Sequence, residues 1–201
     1  MKTKRRTKKV NKTKKRLRNK RKVIKGGKKV VYSTNSFSDA VEHIKAMLIT
    51  ENVPHEICGS IAIDPTSSKK YNVMTHESVA IDQTRANCVY DDNADQVIWH
   101  NHPATSKYYP SIEDMLKPFK IKNSRIGTSL IFSHIGYWRL TVINHMDASK
   151  ELVSAIQKWL DWFYFRTERG RAYNQDAVKE MTYNLNNILE NVMNVEFYLY
   201  S

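Results

Sequence analysis

Several absences narrow the reading of this chain. No run approaches the ~20 apolar residues of a membrane span, so no membrane-spanning segment is expected. The basic start is followed by no apolar core segment, so no secretory signal is expected either. Cysteine is scarce. Cys58 and Cys88 are the only two, they lack C-x-x-C spacing, and they do not amount to a disulfide framework. A reducing intracellular compartment, cytoplasmic or nuclear, is the expectation that follows. No segment repeats. Acidic residues are missing altogether from residues 1–29, which hold 17 of the 33 Lys and Arg.

That last absence divides the chain. The formal net charge is +13, yet the residues after 29 carry 16 basic and 20 acidic side chains, a net of −4. Large apolar residues in the arm are confined to Val10, Leu17, Val23 and Ile24. Too little surface can be buried there to offset ordering entropy, so residues 1–29 are expected to be a disordered basic arm. Blocks such as Lys4-Arg5-Arg6 suit phosphate contacts, nuclear import or an acidic protein surface. A nucleic acid or another polyanion bound through residues 2–29 is therefore a candidate partner. Gly26-Gly27 reads as a flexible joint to a body over residues 30–146, and residues 147–201 read as a helical end.

Within the body, Ser36 or Ser38 can cap a helix over 36–50, with Val41, Ile44, Met47 and Leu48 at helical spacing. Residues 56–63 read as a buried strand, followed by a turn through Asp64-Pro65 and Ser68. An extended stretch over 71–81, a turn at Asp91-Asp92-Asn93, and a short strand at 96–99 follow. Ser111 is a good N-cap for a helix from Ile112 to about Phe119. Strands at 128–132 and 137–143 flank a turn at His134-Ile135-Gly136. This order suggests an α/β (α+β) fold, a mixed sheet with helices packed on it. Beyond Asp147, one apolar stripe runs through Leu152, Ile156, Leu160 and Phe163. A second runs through Val178, Met181, Leu185, Leu189 and Val192. Gly170 between them allows an antiparallel helical hairpin packed on the sheet.

The chemistry gathers at H-N-H-P, seven residues, then S-x-x-D: His100, His102, Pro103, Ser111 and Asp114. At an extended strand end, residues i and i+2 point to the same side. The two imidazoles can then converge on one zinc ion, with Asp114 arriving from the first turn of the helix that Ser111 caps. Three protein ligands leave a fourth position open, the mark of a catalytic rather than a structural zinc site. Such a site needs a proton acceptor that is not itself a ligand. Glu56, an acid at the head of an apolar strand, meets that need if its strand lies beside the one ending at His100. The Ser111 hydroxyl is a candidate donor to the oxyanion of a tetrahedral intermediate.

This pattern, with its upstream glutamate, resembles the JAMM motif of MPN-domain metalloproteases, whose members include deubiquitinating and deneddylating isopeptidases and bacterial and archaeal relatives. The resemblance covers roughly residues 37–143. It implies one zinc ion on His100, His102 and Asp114, Glu56 as general acid/base, and Ser111 as stabiliser of the intermediate. It also implies an MPN-type sheet similar to that of cytidine deaminases. The expected function is hydrolysis of a peptide or isopeptide bond, with a protein substrate that could carry ubiquitin or a ubiquitin-like modifier. Asn101 stands where eukaryotic deubiquitinases commonly have a small hydroxyl residue.

Two alternatives compete: a non-catalytic MPN-type scaffold, and a nucleic-acid-associated protein acting through its arm. A zinc nucleobase deaminase needs H-x-E and P-C-x-x-C, and neither is present. His55 should face away from Glu56, His43 should be solvated, and His76, His134 and His145 have no partner spacing. Cys58 is expected to be a buried, hydrophobic cysteine. Tyr108 and Tyr109 either pack their loop down or contact substrate.

Overall fold

A computed structural model describes residues 29–50, 54–64, 66–76, 78–80, 86–88, 96–120, 127–144, 148–170 and 172–200. The arm through residue 28, its Gly26-Gly27 joint, Pro65, Ile81, the Asp91-Asp92-Asn93 turn and His145 lie outside the described residues. The elements are β1 (Lys29–Thr34), α1 (Phe37–Thr50), β2 (Cys58–Asp64), β3 (Ser67–Thr75), β4 (Ser78–Ala80), β5 (Ala86–Cys88), β6 (Gln96–Asn101), α2 (Ile112–Lys120), β7 (Thr128–Phe132), β8 (Gly136–Val142), α3 (Lys150–Arg166), α4 (Gln175–Ile188) and β9 (Met193–Leu199). They form a mixed α+β fold around a seven-stranded sheet ordered β1-β3-β2-β6-β7-β8-β9, with β4 and β5 pairing separately. Among the described strands of that sheet, β6 and β7 run parallel and all other neighbours run antiparallel.

Alternation along the strands builds two cores, one on each face. Leu130 and Phe132 of β7 join Ile61, Val73 and Trp99 beneath Ala40, Val41 and Ile44 of α1. Ile131, between them in sequence, faces the other way. There it joins Trp138, Leu140, Met193 and Val195 against Ile156, Leu160 and Phe163 of α3 and Val178, Met181 and Leu185 of α4. The two apolar helical stripes thus cover one sheet face. Ser36 opens α1, its Oγ accepting from Asp39 N at 3.2 Å. Glu168, Arg169 and Gly170 take φ of 47°, 64° and 77° in the turn after α3. A Cβ at Gly170 would press on the Tyr109 ring as well as strain the backbone.

Three expectations need correction. The second helical stripe stops short of Val192: α4 ends at Ile188, and Asn191 at φ 61° turns the chain into β9. Met193 and Val195 are buried while Asn194 and Glu196 are less so, a period of two that the adjacent helical stripe masked in the sequence. Residues 147–201 therefore supply an edge strand as well as the helical hairpin. Next, Cys58 and Cys88 form a disulfide across a separation of 30 residues, with Cα atoms 6.0 Å apart. Only the tertiary approach of β5 to β2 creates that pair, and it removes the basis for reading the compartment from cysteine usage. Finally, His43 is only partly exposed, stacked on Tyr32 with ring centroids 4.1 Å apart.

Gly59 is buried where β2 runs between β3 and β6, and a Cβ there would land on the Met74 carbonyl and the Trp99 indole. Gly59→Ala should lower stability by about 3 kcal/mol, read from the urea midpoint at unchanged slope. Reducing the disulfide frees a 30-residue loop. By chain entropy it should cost about 3–4 kcal/mol in the same measurement.

Candidate metal centre

β6 carries the two histidines to the end of the single parallel pair in the large sheet, where ligands gather in α/β units. His102 N donates to Phe132 O at 2.7 Å, so the chain keeps to β7 for one residue past the strand. From there, residues 103–110 lead to α2. Ser111 N and Oγ both donate to Asp114 Oδ2, at 2.7 and 2.6 Å, while Asp114 N donates back to Ser111 Oγ at 3.2 Å. The S-x-x-D of the sequence is thus a reciprocal capping arrangement, with a carboxylate favoured by the unpaired N–H groups of the first turn.

This cap aims Asp114 at the histidines. His100 Nε2 lies 3.2 Å from Asp114 Oδ1 and His102 Nε2 lies 3.3 Å from Asp114 Oδ2. One ligand atom from each residue falls within 4.8 Å of the others. Donor atoms about 2.0–2.1 Å from a shared tetrahedral ion sit about 3.3 Å apart, so the separations fit such an ion. His102 Nδ1 lies 3.1 Å from Lys107 O. A carbonyl can only accept, so Nδ1 carries a proton, which leaves Nε2 as the nitrogen that faces Asp114 and a shared ion. His100 Nδ1 is buried with no hydrogen-bond partner among the described residues. The three residues can hold a metal ion.

Burial alone would push Asp114's carboxyl up. The charges and hydrogen bonds of His100 and His102 outweigh it and hold the group well below the usual carboxylate range. Lys117, one turn along α2, has its ammonium disfavoured by burial but supported by the charges of Asp114 and Glu56. Both carboxylates thus act on one cation.

Glu56 itself is partly buried and precedes β2 rather than opening it. β2 lies beside β6 as the sequence requires, antiparallel with Cys58 opposite His100. Continuing that register places Ile57 opposite Asn101 and Glu56 opposite His102. His55 is exposed and His134 sits exposed in its turn. His76 does have a partner, with Nε2 2.8 Å from the buried Ser60 Oγ.

Three contributors escaped the sequence reading: Lys107 through its carbonyl, Lys117 through its charge, and Asn101. The first acts through backbone that any residue supplies, so nothing in the sequence marks it. Asn101 could have been found as a polar residue that strand alternation turns toward a core. Tyr108 and Tyr109 are buried core residues. Their rings lie 5.6 and 5.1 Å from Phe163, and Trp138 Nε1 donates to Tyr108 O at 2.8 Å. Burial pushes the Tyr108 phenol up to about 12. A cavity of about 360 Å³ opens beside His102 on the α1 side, over Phe132, Leu48 and Tyr200. No protein-family model, curated protein or solved structure matches this chain.

Ser111→Ala removes the hydroxyl's two contacts with Asp114 and keeps the one from the backbone N–H. It should cost about 1 kcal/mol of stability and weaken metal binding about tenfold or more in a chelator competition. A depressed carboxyl contributes stability that is present above the unfolded carboxyl range near ~4 and lost as pH falls through the folded value. Metal-free protein should therefore lose stability in acid more steeply than its Asp114→Asn variant, as parallel urea titrations across that window would show.

Proposed function

We propose that this protein is a JAMM-type zinc hydrolase with an MPN-like fold, cleaving a peptide or isopeptide bond. The observation that carries this reading is the convergence of His100 Nε2, His102 Nε2 and the Asp114 carboxylate at the end of the parallel β6–β7 pair. Imidazole and carboxylate ligands, three in number, suit a catalytic zinc with one position left open. When bound, the ion supplies a Lewis acid for the scissile carbonyl and lowers the pKa of water.

The chain's own residues do the rest. The Lys107 carbonyl and the Ser111 cap hold one imidazole and the carboxylate in place before any ligand arrives, so little reorganisation is needed. Glu56, opposite His102, accepts the proton of the attacking water and returns it to the leaving amine. The Ser111 hydroxyl, whose one proton goes to Asp114 Oδ2 in the ligand-free site, becomes the donor for the carbonyl oxygen by turning that proton away from the carboxylate as the oxygen gains charge. The substrate class is a protein: an ordinary peptide bond, or a lysine isopeptide to ubiquitin or a ubiquitin-like tail. Residues 2–29 add a contact for nucleic acid or another polyanion.

The test is metal analysis of purified protein, paired with cleavage of peptide and fluorogenic ubiquitin substrates with and without a chelator. One zinc per chain and chelator-sensitive turnover are expected; turnover that survives full metal stripping would sink the proposal. Glu56→Gln should keep its zinc and lose turnover by about 10²–10⁴-fold. His100→Ala should lose zinc and stability together, because metal affinity is coupled to folding.

A further inference from the structure

We propose that Asn101 is a positioning residue that sets Glu56 over the metal centre by clamping the backbone on both sides of it. The inference rests on the hydrolase reading above. Asn101 lies between the two histidine ligands, and strand alternation turns its side chain away from theirs. It is 5% exposed. Its Oδ1 accepts from Ile57 N at 2.7 Å, its Nδ2 donates to His55 O at 3.4 Å, and its own N donates to Ile57 O at 3.2 Å.

These partners are the two peptide groups that flank Glu56. His55 O belongs to the peptide before it and Ile57 N to the peptide after it. One carboxamide holds both planes, so the direction of the Glu56 side chain is set from the strand that carries the metal ligands. The position calls for such a device because β2 begins only at Cys58, leaving Glu56 beyond the regular ladder. The chemistry is specific: an N–H needs an acceptor and a carbonyl needs a donor, and a carboxamide presents one of each. A serine or threonine hydroxyl is a single atom and cannot span both peptides. The residue that departs from the eukaryotic deubiquitinase pattern thus has a task in this chain. General-base chemistry is sensitive to such placement, since a displacement of about 1 Å can cost about 10²-fold in rate.

The experiment compares Asn101→Ala, Asn101→Asp, Glu56→Gln and the Asn101→Ala/Glu56→Gln double variant. Zinc affinity is read by chelator competition, Ile57 amide exchange by NMR, kcat and KM on a cleaved peptide, and the visible band of cobalt(II)-loaded protein. Asn101→Ala should bind zinc as the parent does, lose Ile57 protection, and lose about 10²-fold in kcat at unchanged KM. Asn101→Asp keeps the acceptor for Ile57 N but loses the donor to His55 O, so it should retain Ile57 protection while losing part of kcat, less than Asn101→Ala loses. If Asn101 acts through Glu56, the double variant is no slower than Glu56→Gln alone. The cobalt band should shift alike in the Asn101→Ala and Glu56→Gln variants, with nothing added in the double variant.

Parental kcat in Asn101→Ala would overturn the proposal. So would a full further loss on top of Glu56→Gln, or zinc loss in both Asn101 variants. Should Asn101→Ala fail to fold, Asn101→Asp decides: loss of Ile57 protection, or parental kcat with the His55 contact gone, overturns the clamp. Parent protein that binds metal but cleaves no peptide or isopeptide ends the hydrolase reading, and the cobalt comparison then decides for Asn101 alone.

Discussion

The antiparallel register of β2 on β6, with Cys58 opposite His100, is the constraint on which the site depends. A slip of one residue in the placement of β6 would turn both histidines toward the α1 core and bring Asn101 to their side. The register is secured from the α1 face. Trp99 of β6 is fully buried with Ile61 and Leu130 under α1, and the absence of a side chain at Gly59 lets the indole sit against β2. Extended two residues past its last pair, the same register would bring Glu56 across from His102. Core packing and site geometry are therefore one arrangement seen from two sides of the sheet.

Around that register the structure gathers charge that would be costly to bury unpaired. A carboxylate out of water needs partners, and Asp114 has four: two imidazoles, a hydroxyl and a backbone N–H. Each is also what a cation-binding carboxylate needs for orientation. The capping arrangement that starts α2 and the ligand geometry thus come from the same short stretch of chain. That economy explains how nine residues of helix suffice to complete the centre.

The helical end also serves the centre, from the sheet face opposite α1 toward which His100 points. Phe163 of α3 packs on Tyr108 and Tyr109, Gly170 O accepts from Tyr108 N at 3.3 Å, and Trp138 Nε1 holds the Tyr108 carbonyl. The neighbouring Lys107 carbonyl fixes the His102 tautomer. A chain of contacts thus runs from α3 through the loop to a ligand nitrogen. The loop is irregular in backbone yet anchored by buried aromatics, which is how a segment without regular structure can hold a ligand still.

Local periodicity and local spacing were enough for the sequence to specify most elements. The i, i+2 histidines on a strand end, Ser111 three residues before Asp114, the α1 stripe and the α3 and α4 stripes all depend on neighbours within one turn or one pleat. The sequence also pointed to His100, His102 and Asp114, which the fold brings together as a group able to hold a metal ion. Contacts between distant segments were decided only by tertiary structure. The Cys58–Cys88 disulfide, the β9 edge strand, the support of His102 by a backbone carbonyl, and the grip of Asn101 on the peptides around Glu56 are of this kind. Each depends on which segments the fold sets side by side, and no short-range pattern encodes that. Glu56 lies on the border between the two: its chemistry is legible in one residue, but its place just ahead of the strand paired to β6 comes from segments some forty residues apart.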